Sequence, residues 1–204
     1  MTRRARLLAR RVGVRNAAAV HTAAREIEVK YRVPVRAPLL AALAARGVQF
    51  GPPVEQDDQA YAPEGWEYGS SKIGVPFVRL RTQGGRHLFT LKRPVDNELS
   101  CIEHETEVAD REAMHHVILA MGFRPTVRIH KFRRTASHKD LSLCLDDVTG
   151  IGSFFEVEML TVGNAAGLSS QADMHQFVGQ LDVGLVRITS TYDSLIRETA
   201  MVEA

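Results

Sequence analysis

The sequence predicts a mainly β domain with flanking helices (α+β), built as a closed eight-stranded antiparallel β-barrel. Alternation of charged and apolar residues recurs in segments along most of the chain, and a period of two is typical of strands with one buried face. Several of these strands carry charges on one face only, with acids and bases mixed. One small open sheet cannot expose so many charged faces. A closed barrel with a charged interior accommodates all of them.

The bulk composition is that of a soluble globular chain with one domain, predicted over residues 25–204. The protein has 204 residues, of which 45% are hydrophobic and 25% charged, and its formal net charge is +2. Such a small net charge excludes a strong polyanion-binding field over the whole surface, which makes nucleic acid an unfavoured partner. No apolar run approaches the roughly 20 residues that cross a bilayer. We therefore expect a cytoplasmic protein without membrane association.

The N-terminal segment differs from the rest of the chain. The first 25 residues contain seven arginines and no acid. Residues 1–24 are interpreted as a basic N-terminal extension, either a solvated tail or an arm for nucleic acid or membrane. The missing interleaved aromatic residues weaken the second interpretation. Cys101 and Cys144 lie far apart without metal-ligand spacing, so both are expected to be buried thiols in a reducing compartment.

The first half of the domain begins with a strand over residues 25–33. Its charged face carries Glu26, Glu28 and Lys30, and Ile27, Val29 and Tyr31 lie opposite. Taken alone, this is the pattern of an ordinary half-buried strand. A helix over 39–46 and a strand over 54–61 follow. The polar segment 62–74 is long for a connection inside a compact domain, and we predict a mobile flap over one mouth of the barrel.

A hairpin is predicted next, over residues 76–82 and 86–92, because Gln83-Gly84-Gly85 is a clear turn sequence. Arg79 and Arg81 share a face of its first strand, and Lys92 lies on the polar face of the second. The strand over 99–109 follows, with three glutamates on one face. These are Glu103, Glu105 and Glu107.

Asp110 is a suitable N-cap for a helix over 111–121. Three further strands are predicted over residues 126–135, 141–148 and 154–160, and two helices over 170–180 and 190–199. The charged faces of these strands carry Lys131, Arg133, Asp146, Glu156 and Glu158. No glycine-rich phosphate loop opens any helix, so neither a dinucleotide-binding fold nor a P-loop is indicated.

The one-sided charges suggest a chemistry when they are taken together. Arginine and lysine from several strands suit phosphate oxygens, and clustered carboxylates suit Mg²⁺ or Mn²⁺. The pattern therefore indicates metal-assisted phosphoryl or nucleotidyl transfer. The alternative is a sheet with ordinary surface ion pairs, each worth less than about 1 kcal/mol.

Several motifs, in this order, resemble the CYTH superfamily of class IV adenylyl cyclases and thiamine triphosphatases. They are Glu26-Ile27-Glu28-Val29-Lys30 (ExExK), Arg79-Leu80-Arg81 (RxR), Leu91-Lys92, the acidic strand around Glu105, Lys131-Phe132-Arg133 (KxR) and the closing segment from Leu145 to Glu158. ExExK alone is a weak motif. The ordered set is specific and covers nearly everything after the basic extension.

The resemblance implies a triphosphate tunnel, an eight-stranded barrel that binds a triphosphate substrate and two divalent ions, Mg²⁺ or Mn²⁺. It implies metal ligation by Glu28, Asp146, Glu156 and Glu158, with Glu26 nearby. It implies substrate contacts from Lys30, Arg79, Arg81, Lys92, Lys131 and Arg133, and catalytic roles for Lys30, Asp146 and Glu156. A homodimer is a further expectation by resemblance.

The closing segment and the stretch from Asp57 to Tyr61 look most like the class IV adenylyl cyclases, which convert ATP to cyclic AMP and pyrophosphate. Two positions depart from the family pattern. Cys101 stands where an arginine is frequent, and Ala60-Tyr61 stands where an aromatic pair is frequent. Both changes concern the base or ribose end of the site. A triphosphatase that releases orthophosphate and a non-enzymatic phosphate-ligand binding protein therefore stay open as alternatives.

Overall fold

The computed structural model describes residues 24–162 and 167–202, so the predicted basic extension lies outside the described residues except for Ala24. The described strands are β1 (Ala24–Arg32), β2 (Val54–Pro63), β3 (Phe77–Gln83), β4 (Arg86–Pro94), β5 (Ser100–Val108), β6 (Phe123–His138), β7 (Leu141–Val148), β8 (Gly152–Val162) and β9 (Val186–Ile188). The helices are α1 (Arg36–Ala44), α2 (Arg111–Ala120), α3 (Gly167–Gly179) and α4 (Tyr192–Val202).

The first eight strands close into an antiparallel barrel, which confirms the predicted fold. They follow the order β5-β4-β3-β2-β6-β7-β8-β1, and β1 pairs back onto β5. β1 is the closing strand: it pairs with β8 along its length and with β5 only over residues 25–27. The other end of β1, residues 30–32, pairs with the additional strand β9.

The main hydrophobic core lies outside the barrel, between its wall and the helices. Ile27 and Val29 of β1 are fully buried and pack in one cluster with Leu39 of α1 and Met174 of α3. A second cluster joins Ile118 of α2 to β3. Because the apolar faces of these strands point outward to helices, alternation directs their charged faces into the barrel.

Helix α4 packs against a different part of the wall. Its Tyr192 and Leu195 form a small apolar cluster with Ile129 of β6 and Phe154 of β8. Tyr192 and Ile129 also line the interior of the barrel. The N-terminus of α4 is therefore part of the cavity wall.

Some boundaries differ from the predicted ones for identifiable reasons. α1 starts at Arg36, so Pro38 lies in its first turn, where a missing N–H breaks no helical hydrogen bond. β6 starts before Pro125, which pairs with Tyr61 where the β2–β6 register shifts. Irregular pairing of this kind tolerates proline. β9 was not predicted, because its three residues are too few to show a period.

The segment predicted as a flap is partly buried and lines the cavity. Trp66 is buried, and its indole N–H donates to the Ser71 carbonyl at 3.2 Å. Lys72 is also buried and contacts Glu98 and the N-terminus of α4. The mobility of this segment stays a prediction. Among the helices of the described part of the chain, none is long and apolar enough to cross a membrane.

Candidate functional site

The barrel encloses a cavity of about 340 Å³ whose wall is strongly charged. Within the described residues, nine carboxylates and seven basic side chains line this cavity. Every charged residue predicted for the site lines it except Asp146, which is buried directly behind the wall. The excess of carboxylates makes the cavity a better environment for cations than for a free polyanion.

Three of these carboxylates form a cluster, which consists of Glu28, Glu156 and Glu158. One oxygen from each lies within 4.8 Å of the others. The register of β1 and β8 explains the proximity, because Glu28 lies directly opposite Glu158. Burial raises the pKa of Glu28. Burial also raises the pKa of Glu158, to about 7, and neighbouring carboxylates add to this effect despite Arg133. Closely spaced carboxylate oxygens that repel one another fit a hard divalent cation.

Glu156 is the most strongly paired member of the carboxylate cluster. Its Oε1 lies 3.1 Å from the Lys30 ammonium, and its Oε2 contacts Arg133. Burial acts to raise the pKa of Glu156, but Lys30 and Arg133 outweigh it, so the pKa is held well below its usual range. The same pairing keeps Lys30 charged. Its pKa is raised because Glu28 and Glu156 outweigh the effect of burial.

Arg133 connects the carboxylate cluster to Asp146. Its guanidinium donates to both carboxylate oxygens of Asp146, at 2.7 and 2.6 Å, and to Glu158 at 3.1 Å. Lys131 and the Tyr192 hydroxyl donate to Asp146 at 2.9 and 3.0 Å. Protein donors therefore surround Asp146, which lies beside the carboxylate cluster and not within it. Its predicted role as a metal ligand stays a prediction.

A second group of charges lines the cavity around the start of β1. The Lys92 ammonium lies 2.8 Å from Glu26 and 2.7 Å from Glu103. Arg79 contacts Glu103 at 3.6 Å and Glu105 at 3.1 Å. Burial acts to raise the pKa of Glu26, but Lys92 outweighs it and lowers the pKa to about 2. Glu26 thus pairs with a base instead of joining the carboxylate cluster.

Arg81, predicted to contact phosphate, forms a buried ion pair with Asp58. Its Nε and Nη2 donate to the two carboxylate oxygens of Asp58, both at 2.7 Å. The two residues lie directly opposite each other on β2 and β3. Strand 2 was predicted to contain Asp58, but its pairing with Arg81 depends on a register that local sequence does not provide.

We predict that Asp58→Asn destabilises the protein in a pH-dependent way. Burial acts to raise the pKa of Asp58, but the hydrogen bonds from Arg81 outweigh it and hold the pKa at about 2. A carboxyl whose pKa is lower in the folded state stabilises that state above its unfolded pKa, and this stabilisation is lost as the pH falls through the folded value. The variant should lose about 2 kcal/mol of unfolding free energy at pH 7.

Urea unfolding of wild type and Asp58→Asn at pH 7 and pH 3 tests this prediction. The difference between the two proteins should shrink at pH 3, because the unfolded wild type then takes up the proton. A difference that stays constant between these pH values would show that the Asp58 charge contributes nothing through Arg81.

The cavity also contains groups that are not among the predicted site residues. Trp66, Tyr68 and Phe77 form an aromatic part of the wall, with ring centroids of both Tyr68 and Phe77 at 5.0 Å from Trp66. Cys101 lines the cavity opposite Glu26, and burial raises its pKa to about 12. At neutral pH this thiol is therefore protonated and a poor nucleophile.

Comparison with known proteins identifies the family of the chain. The CYTH domain family model matches residues 24–192. A putative adenylate cyclase of Methanocaldococcus jannaschii is 26% identical over 135 residues, which cover 65% of this chain and 75% of that protein.

Solved structures share the fold at lower identity. The PH1819 protein of Pyrococcus horikoshii superposes with a TM-score of 0.70 at 20% identity, over 85% of this chain and 98% of that one. HpAC1 of Hippeastrum, described as a putative adenylyl cyclase with a dominant triphosphatase activity, superposes with a TM-score of 0.57 at 15% identity, over 86% and 95% of the two chains. The family model covers most of the domain that contains the charged cavity, and the chain belongs to the CYTH domain family.

Proposed function

We propose that this protein is a divalent-metal-dependent enzyme that acts on a triphosphate and converts ATP to cyclic AMP and pyrophosphate. The observation that carries the proposal is the composition of the cavity wall. It combines the carboxylate cluster, basic side chains from several strands and an aromatic section. These are the groups needed for metal ions, for phosphate oxygens and for a nucleobase, respectively.

The charge balance of the cavity supports a metal requirement. A triphosphate carries several negative charges, and the wall already contains more carboxylates than basic groups. Glu28, Glu156 and Glu158 would hold the metal, which supplies Lewis-acid polarisation of phosphate oxygens. Lys30 and Arg133 each contact this cluster, so their positive charges lie where phosphate oxygens next to the metal would be.

The basic residues would hold the triphosphate through point charges and hydrogen bonds. Lys30, Arg79, Arg81, Lys92, Lys131 and Arg133 are distributed over four strands around one cavity. In the proposed reaction, the ribose 3′-hydroxyl loses its proton to solvent and its oxygen forms a bond to the α-phosphorus. The bond from that phosphorus to the β-phosphate oxygen breaks, and pyrophosphate leaves. The basic side chains stabilise the negative charge that collects on the leaving pyrophosphate.

The aromatic section favours a substrate with an organic group over inorganic triphosphate. Trp66, Tyr68 and Phe77 lie in the same cavity wall as Lys72 and Arg79. Aromatic rings offer stacking surface that a phosphate chain does not use. A nucleoside triphosphate can occupy the charged and the aromatic parts together.

Hydrolysis of the triphosphate is the second candidate. It is favoured by the similarity to HpAC1, which is described as having a dominant triphosphatase activity. The charged part of the cavity suits either reaction, because cyclisation and hydrolysis both require a bound triphosphate group. The two reactions differ in the nucleophile, which is water in hydrolysis, and in the phosphorus that is attacked.

Product identification separates the candidates. The protein is incubated with ATP, thiamine triphosphate and inorganic triphosphate, each with Mg²⁺, with Mn²⁺ or with EDTA. We expect cyclic AMP and pyrophosphate from ATP, and no product in EDTA. Orthophosphate without a cyclic product would establish hydrolysis instead. Absence of any product from the whole panel would contradict both enzymatic proposals.

A further inference from the structure

Tyr192, the first residue of α4, contacts three charged groups of the cavity at once. The Lys30 ammonium lies 4.2 Å from the centroid of its ring, and the Lys131 ammonium lies 4.8 Å from the same centroid. Its hydroxyl donates to Asp146 at 3.0 Å. Tyr192 is 8% exposed, and both lysines are buried.

Lys30 and Lys131 both contact the Tyr192 ring. Lys30 is otherwise held by Glu28 and Glu156, whereas Lys131 is held by Asp146. Lysine has a flexible four-carbon stem, so a charge that must meet a particular phosphate oxygen needs several contacts to fix it. An aromatic face within about 6 Å attracts an ammonium group most strongly when the pair is desolvated, as it is here.

The position of Tyr192 is itself fixed from the segment between β2 and β3. The buried Lys72 ammonium of that segment lies 2.7 Å from the Thr191 hydroxyl and 2.8 Å from the Ser194 hydroxyl. It also contacts Asp193 at 3.2 Å. These three residues surround Tyr192 in sequence, so Lys72 holds the first turn of α4 against the cavity.

We propose that Tyr192 is a positioning residue that fixes Lys30 and Lys131 for phosphate binding, and that Lys72 holds Tyr192 in place. This inference rests on the proposed triphosphate site. It adds to that site a residue from α4 and the contacts that Lys72 makes with the start of that helix. The aromatic ring of Tyr192, and not its hydroxyl, is the group that positions the two lysines. Asp146 still accepts hydrogen bonds from Lys131 and Arg133 when the Tyr192 hydroxyl is removed.

The first test measures binding of inorganic triphosphate in Mn²⁺ by calorimetry. Tyr192→Leu should weaken the affinity at least about tenfold, whereas Tyr192→Phe, which keeps the ring, should stay within about threefold of wild type. Leu195→Ala is the matched control, since Leu195 packs in the same apolar cluster but has no aromatic ring. It should lower the melting temperature but leave the affinity within about threefold of wild type.

A second comparison uses Lys72→Met with Lys139→Met, an exposed lysine on the turn between β6 and β7, as its control. Lys72→Met should weaken triphosphate affinity, and Lys139→Met should not. Equal affinities for Tyr192→Leu and Leu195→Ala, or for the two lysine variants, would overturn the inference. A wild-type protein that binds neither inorganic triphosphate nor ATP in Mn²⁺ would instead contradict the proposed function, so the two failures are distinguishable.

Discussion

Replacement of Glu156 by glutamine should reduce metal-dependent turnover at least about a hundredfold. The reason is that a bound metal contributes several kcal/mol of transition-state stabilisation, and the loss of each 1.4 kcal/mol lowers the rate about tenfold. Glu156 is 2% exposed and belongs to the carboxylate cluster. The pKa of its carboxyl is held low by Lys30 and Arg133 against the opposing effect of burial, so the native group is ionised. Glutamine keeps the shape of the side chain and removes the charge.

Initial rates with ATP and with inorganic triphosphate, over a range of Mn²⁺ concentrations, measure this effect. The matched control is Glu107→Gln, because Glu107 shares a strand face with Glu103 and Glu105 but its side chain is 54% exposed. The control should keep nearly full turnover. Equal rates for Glu156→Gln and wild type, with both proteins folded, would exclude Glu156 from the reaction.

The barrel could be predicted because charged and apolar residues alternate along the strands that form it. Glu26, Glu28 and Lys30 alternate with apolar residues, and the structure places all three on the cavity wall. The same parity places Arg79 and Arg81 in the cavity. Alternation shows which residues share a strand face. Charges of both signs on one face of many strands indicate that these faces point into the same barrel interior. The family resemblance then predicts the ligand class, a triphosphate.

Pairing between side chains could not be predicted in the same way, because it depends on register and on helices far along the chain. Asp58 meets Arg81 only because β2 and β3 align them. Tyr192 is the first residue of a helix that begins 30 residues after the end of β8, the last strand with a predicted site residue. A tyrosine at the start of a helix does not indicate in the sequence that two lysines contact its ring. Asp146 was predicted as a metal ligand, and the structure shows its basic partners.

These pairings give the cavity two charged groups with different balances. Around Lys92, the base keeps Glu26 ionised, whereas burial raises the pKa of Glu103 despite the same base. At the carboxylate cluster, Glu28 and Glu158 have raised pKa values because burial and mutual repulsion exceed the effect of nearby bases. Two bases, Lys30 and Arg133, contact the three carboxylates of the cluster and offset part of their negative charge.

Arg133→Met should accordingly lower the free energy of unfolding by about 3–5 kcal/mol, the usual cost of removing one partner from a buried ion pair. Arg133 hydrogen-bonds to Asp146, Glu156 and Glu158, and methionine removes these donors while keeping a similar volume. Urea unfolding at pH 7 measures the loss. Arg134→Met is the control, because Arg134 is the exposed neighbour on the same strand and its loss changes the net charge equally. That variant should stay within about 0.5 kcal/mol of wild type. Similar losses for both variants would show that net charge, and not the contacts of Arg133, determines the stability of the carboxylate cluster.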